Sequence, residues 1–412
     1  MSELRVNGER LWRSLMTMAE IGATAKGGVC RLTLSDEDRR GRDLFRSWCE
    51  EAGLTVTVDQ MGSMFGHRPG TDPERPPVVL GSHLDSQPTG GKFDGALGVL
   101  AALEVVRTLN DRGVETKAPL EVVNWTNEEG ARFAPAMIAS GVFAGVFDLD
   151  YALARADRDG RTIGAELQRI GYAGRQKVGH RPLGALFELH IEQGPILEAE
   201  GKRIGVVTGG QGARWYDCQV FGAEAHAGPT PMEARRDALR GAAELLPEIY
   251  QIAHDQAPNG RATVGEFRAW PGSRNTVPGR IDFTVDLRHP DGGTMDAMDH
   301  ALQEAFERAR GRSGDRLEFH LHEIWYAPPV AFDPACVEAV RQGAAALGLP
   351  SREIVSGAGH DAVYMARVVP TAMIFVPCKD GISHNEVEYA SPEACADGAN
   401  VLLQAALARA NA

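Results

Sequence analysis

His83 and Asp85 stand two positions apart in Gly81-Ser-His-Leu-Asp-Ser-Gln-Pro-Thr-Gly-Gly-Lys-Phe-Asp-Gly95, and Asp94 follows eleven positions after His83. The apolar run Pro77-Val-Val-Leu80 before them reads as a buried strand entering a glycine-rich loop. Residues two apart on a strand share a face, so His83 and Asp85 point the same way. An imidazole and a carboxylate brought together by a tight loop suit a divalent metal that takes nitrogen and oxygen ligands. Asp85 is then placed to hold the second ring nitrogen of His83 and fix its tautomer. Taken alone, the stretch also fits a polar turn capping the helical run Ala96–Leu109.

Other strand ends offer ligands. Pro119-Leu-Glu-Val-Val-Asn-Trp125 runs into Thr126-Asn-Glu-Glu-Gly130, where adjacent Glu128 and Glu129 point in different directions. One suits a metal and its neighbour a base beside it; a solvated acidic turn is the plainer alternative. Leu186-Phe-Glu-Leu-His-Ile-Glu192 sets Glu188, His190 and Glu192 on one face, a pattern that equally suits a half-exposed strand. His384 follows the apolar strand Thr371–Val376 in Lys379-Asp-Gly-Ile-Ser-His-Asn-Glu386. Together His83, Asp94, Glu129, His190 and His384 would suit two metal ions bridged by Asp94, with Glu128 beside the water between them. Gly357-Ala-Gly-His-Asp-Ala362 fits a loose dinucleotide-binding pattern, but too little sheet follows to complete a nucleotide-binding half.

The elements that must position these groups are those of an α/β sheet layered with helices. Residues 1 to 53 carry two helices, the second starting at Ser35 with Asp38 as a capping-box-like partner. Strands at Leu54–Val58, Pro77–Leu80 and Pro119–Trp125 follow, with the Ala96–Leu109 helix among them. From about Gly209 the order becomes strand Ala213–Gly222, helix Ala234–His254, strands Arg261–Trp270 and Gly279–Arg288, helix Thr294–Arg310 and strand Arg316–Trp325. That β-α-β-β-α-β order is ferredoxin-like, inserted in the first domain. The expected division is 1–208 and 329–412 for the catalytic domain and 209–328 for the insert. Helices at Asp333–Leu347 and Pro392–Ala408 close the chain.

With 412 residues, 43% hydrophobic and 24% charged, the chain has material for more than one globular domain. A formal net charge of -13 argues against nucleic acid or an anionic membrane as partner. No stretch has the apolar length of a membrane span, and the first residues lack a secretory pattern. The six cysteines are scattered without a Cys-x-x-Cys pair and read as reduced thiols, so a cytoplasmic location is expected.

The segments Gly81–Gly95, Thr126–Phe133, Glu188–Gly194, Gly222–Met232, Ser273–Pro278, Ser356–Asp361 and Ile382–Glu386, in that order, carry a resemblance over essentially the whole chain. The sequence resembles the M20 family of di-metal amidohydrolases and peptidases. Within it, the chain looks like the hydantoinase/carbamoylase branch of N-carbamoyl-L-amino-acid hydrolases, β-ureidopropionases and allantoate amidohydrolases. The resemblance implies an M20-type catalytic domain with a lid that forms a homodimer interface. It implies two divalent ions, zinc, manganese, cobalt or nickel, on His83, Asp94, Glu129, His190 and His384, with Glu128 as general base beside Asp85. It implies that His226 reaches the neighbouring subunit's site to support the oxyanion. Asn275 and Arg288 match substrate-binding positions, with Gln193 and the backbone of Gly357 and Gly359 as further contacts. His226 also fits a capped turn, and Arg288 fits an ion pair with Asp286 or Asp291. The implied reaction is removal of the carbamoyl group from N-carbamoyl-L-amino acids. A β-ureidopropionase or allantoate amidohydrolase is the sibling alternative, an aminoacylase or peptidase a more distant one, and a non-catalytic binding protein another class.

Overall fold

The computed structural model describes residues 4–179 and 181–412. The chain divides into two compact units, one reaching Gly209 and resuming at Ala331–Ala412, the other Gly210–Val330.

The larger unit is built on a mixed sheet. Its centre runs Leu120–Trp125, Val78–His83, Ala185–Ile191, Thr371–Val376. These four are parallel, with His83 opposite Trp125 and Phe375 opposite His190. Antiparallel strands flank them, Met64–Arg68 beside Leu120–Trp125 and Ile204–Gly210 beside Thr371–Val376. Parallel strands are covered on both faces and therefore read as apolar runs. Helices Ala96–Asp111 and Pro392–Ala410 supply such cover, packing on the central strands and on each other. The carboxyl ends of all four strands thus meet at one edge, where open α/β sheets bind ligands.

Burial corrects one expectation. Ala185–Ile191 is buried at every position, not half-exposed, because it lies centrally in the sheet. Glu188 and His190 are therefore inside, and each needs a partner or a ligand. Ile204-Gly-Val-Val-Thr-Gly-Gly210 is a strand despite three glycines, since pairing with Thr371–Val376 outweighs their low propensity. Short helices Ile138–Phe143, Leu149–Leu153 and Ile163–Ile170 fill a stretch to which the sequence reading assigned no element.

The smaller unit has an antiparallel sheet in the order Phe267–Trp270, Arg280–His289, Gly212–Phe221, Glu318–Ala327. Alternate residues of its strands, including Val220, Ile281 and Phe283, join Leu245, Leu302 and Phe306 of helices Ala238–His254 and Gly292–Ser313 in a separate core. Two boundaries differ from expectation. Arg261–Trp270 is two strands, Arg261–Thr263 and Phe267–Trp270, interrupted around Gly265, although both pair with Arg280–His289. The first helix begins at Ala238, not Ala234, because Asp237 caps it by accepting from the Leu239 and Arg240 backbone.

Candidate metal centre

The strand carrying Val78 to His83 ends with the imidazole inside the protein. His83 Nδ1 lies 2.9 Å from the Asp85 carbonyl oxygen, so an Nδ1–H donates there and Nε2 is left facing the site. Nε2 has no hydrogen-bond partner and lies 3.5 Å from both Asp94 Oδ1 and Glu128 Oε2. This corrects the role expected of Asp85. Its carboxylate is 3.8 Å from His83 Nδ1 and instead accepts from Thr33 Oγ1 at 2.6 Å and from the Glu128 and Glu129 backbone at 3.3 Å each. Asp85 therefore fixes the turn that presents both glutamates.

Asp94 sits between two groups. Its Oδ1 is 3.2 Å from His190 Nε2 and 3.5 Å from His83 Nε2. Its Oδ2 is 3.6 Å from His384 Nε2, which is itself 3.3 Å from Glu129 Oε2. Within each of the sets His83–Asp94–His190 and Asp94–Glu129–His384, ligand atoms lie within 4.8 Å of one another. All five expected ligands converge, with Asp94 common to both sets. His190 and Glu129 are steadied from behind. His190 Nδ1 is 2.9 Å from the Ile191 carbonyl, and Gln87 donates to Glu129 through its backbone at 3.1 Å and Nε2 at 2.7 Å. Gln193, expected as a substrate contact, donates from Nε2 to Asp94 Oδ2 at 2.8 Å.

Three residues at these strand ends hold left-handed backbone without being glycine: Asn127 (φ 60), Gln193 (φ 58) and His384 (φ 53). Such conformations cost about 1 kcal/mol or more each and persist where surrounding contacts enforce them. Asn127 shows the enforcement, donating from Nδ2 to the Phe133 and Pro135 carbonyls and so turning Glu128 inward.

The electrostatics call for positive charge. Burial drives the Glu128 carboxyl well above the usual carboxylate range; His83 opposes this, and Asp361, Glu129 and Asp94 reinforce it. Burial and then Asp94 push Glu129 up to about 8. At Asp94 burial acts upward as well, yet His190 and His83 outweigh it and hold the group well below its usual range. Carboxylates crowded where water is excluded, and a buried imidazole nitrogen with no partner, fit a divalent cation that takes nitrogen and oxygen donors.

Gly95 shows how tightly the site is built. It has φ 62, and a Cβ there would meet three ring atoms of His83 at 2.3 to 2.4 Å. Gly95→Ala should therefore displace His83. The expected result is a folded protein whose metal content after stripping and reloading falls well below the parent's; parent-like content would contradict this.

Sequence reading gave no role to several residues. Glu188 accepts from Ser82 Oγ at 2.5 Å and from the Ala362 backbone at 3.0 Å. His360, in the turn with Gly357 and Gly359, is buried with its ring centroid 4.6 Å from that of His190. Ser383 stands beside His384 and donates to Asp94 Oδ2 at 2.7 Å. Ser383 had a signal in its adjacency to a candidate ligand, and Glu188 in sharing a strand face with His190.

The smaller unit holds the other three candidates. His226 pairs with Thr276 in a two-residue ladder, and the Ala227 backbone donates to the Asn275 carbonyl at 2.8 Å, so His226 and Asn275 are neighbours. Arg288 forks onto Asp286, with Nη2 2.8 Å from Oδ2 and Nε 3.0 Å from both oxygens, the ion pair left open by the sequence. It lies at the far end of Arg280–His289 from the Gly222–Gly279 contact that leads to His226. Eight residues of strand at about 3.3 Å each separate Arg280 from Arg288, roughly 26 Å.

Residues 79–408 match the family described as Peptidase family M20/M25/M40. The chain is 53% identical over 403 residues to a Rhizobium meliloti protein named N-carbamoyl-L-amino-acid amidohydrolase, covering 98% of this chain and 96% of that one. A Geobacillus stearothermophilus protein named N-carbamoyl-L-amino acid amidohydrolase is 39% identical, covering 96% of this chain and 97% of its own. Among solved structures, an amidase of the hydantoinase/carbamoylase family from Burkholderia multivorans is 62% identical, with a TM-score of 0.96 and 99% of each chain covered.

Proposed function

This chain belongs to peptidase family M20/M25/M40, and we propose that it hydrolyses N-carbamoyl-L-amino acids to the amino acid, ammonia and carbon dioxide. The observation that carries the reading is the near full-length likeness to proteins named for that activity. The convergence of His83, Asp94, Glu129, His190 and His384 supports it. His83, Asp94 and His190 would hold one divalent ion and Asp94, Glu129 and His384 a second, with zinc, manganese, cobalt or nickel suited to these donors. Ions bound there supply Lewis acidity toward the carbamoyl oxygen and lower the pKa of water.

The chain's own residues do the rest. Glu128 takes a proton from the water that attacks the carbamoyl carbon and returns it to the leaving nitrogen as the C–N bond breaks. Asp85 orients Glu128 and Glu129 through their backbone N–H groups. The unit Gly210–Val330 serves as lid and homodimer interface. Arg288 forks onto the substrate carboxylate in place of Asp286, while His226 supports the oxyanion and Asn275 the substrate. Arg280, next to the Gly222–Gly279 contact that leads to His226, stands roughly 26 Å from Arg288 along one strand, which supports reading Arg288 and His226 as members of different copies of the site. A site that uses both draws them from two subunits.

Two measurements test this. Ammonia and free amino acid should appear in equal amounts from an N-carbamoyl-L-amino acid and stop on chelation; no release by the metal-loaded protein would overturn the reaction. His226→Ala and Glu128→Ala proteins, each nearly inactive, should regain activity when mixed in equal amounts under subunit exchange, approaching about one quarter of the parent's at full statistical exchange. A mixture that stays inactive while hybrids form would exclude the shared site.

A further inference from the structure

Glu388 lies four residues beyond His384 and is only 4% exposed. A buried carboxylate must find donors, and this one finds them on the Asp94 loop. Its Oε1 accepts from the backbone N–H of Phe93 and of Asp94, each at 3.0 Å. Its Oε2 lies 2.8 Å from Ser383 Oγ and Asp94 Oδ2 lies 2.7 Å from that same hydroxyl, whose one hydrogen is shared between the two carboxylates. The loop is shaped to admit the carboxylate, since a Cβ on Gly91 would fall 2.0 Å from Glu388 Oε1. Phe93 packs against both Trp12 and Tyr389, with ring centroids 5.6 and 6.0 Å away. One side chain thus grips Asp94 twice, by its main chain and, through Ser383, by its side chain.

We propose that Glu388 is a positioning residue that holds Asp94 between the two ligand sets and ties its loop to that of His384. The inference rests on the metal reading above. Two accepted N–H groups fix where the Asp94 backbone stands. One hydroxyl shared between two carboxylates makes the placement of each depend on the other. Asp94 belongs to both ligand sets, so its loss of position weakens both ions together. Gln87 offers the contrast, because its side chain holds only Glu129, which belongs to one set.

The test is a Co(II) titration of chelator-stripped protein, followed by visible absorption and calorimetry, with melting of each metal-free protein as the check on folding. The parent should bind two ions per chain. Glu388→Ala should weaken both by about 10- to 100-fold, as loss of a group that orients metal ligands does. Glu388→Gln keeps an acceptor for Phe93 and Asp94 and should recover most of that affinity. Gln87→Ala should weaken one ion only. If Glu388→Ala fails to fold, Glu388→Asp serves, being too short to reach both the loop backbone and Ser383, and should weaken both ions. Parent-like affinity in the Ala or Asp variant, weakening of one ion alone, or no rescue by Gln would overturn the clamp. A parent that binds no cobalt would overturn the metal reading and the clamp with it.

Discussion

Glu128→Gln should lower kcat on N-carbamoyl-L-amino acids by about 10²- to 10⁴-fold, the contribution expected of a positioned general acid–base. Gln keeps the length and hydrogen-bonding shape of Glu but cannot take up the proton of the attacking water. The side chain is buried, with Oε2 3.5 Å from His83 Nε2, and is not needed to complete either ligand set. Metal content and melting temperature should therefore stay close to the parent's, and substrate should still bind. Burial together with Asp361, Glu129 and Asp94 holds this carboxyl up, against the pull of His83. Replacing it with a neutral amide removes the cost of burying this carboxyl, so a small gain in metal-free stability accompanies the lost turnover. Activity within a few-fold of the parent would mean that another group is the base.

Asp94→Asn should remove both ions and all measurable turnover, whereas His384→Ala should remove only one ion. The distinction follows from how the two carboxylate oxygens are divided. Oδ1 faces His83 and His190, and Oδ2 faces His384 while accepting from Gln193 and Ser383. An amide offers one acceptor, and its NH₂ would confront either the histidine side or the Gln193 and Ser383 donors. Elemental analysis after dialysis measures the outcome. Two ions per chain retained in Asp94→Asn would exclude it as the shared ligand.

Much of this candidate site was legible because its candidate ligands sit where apolar runs stop. His83, Glu128, Glu129 and His190 each lie at or just beyond the end of a strand marked by hydrophobic residues, and strand ends of a parallel sheet gather at one edge. What was not legible depended on contacts distant in sequence. Thr33 meets Asp85 across 52 residues, and Glu388 meets Asp94 across 294. Nothing local marks either. The Ala185–Ile191 strand looked half-exposed because alternation of Glu, His and Glu with apolar residues signals one wet face; here the polar side chains are buried and bonded instead. Asp85 and His83 do share a face, but the loop turns so that the carbonyl, not the carboxylate, meets the ring. The pairing of Arg288 with Asp286 was readable as an alternative, since residues two apart on a strand project to the same side.

The most direct measurement is ammonia release by protein stripped of metal and reloaded with manganese, cobalt or zinc. It should be run on N-carbamoyl-L-amino acids, N-carbamoyl-β-alanine and allantoate, with an N-acetyl amino acid and a dipeptide followed by free amino acid. The expected result is a highest kcat/KM on an N-carbamoyl-L-amino acid, abolished by chelation and restored by metal. Cleavage of only the acetyl compound or the dipeptide, or ammonia release that survives chelation, would contradict the proposed carbamoylase activity.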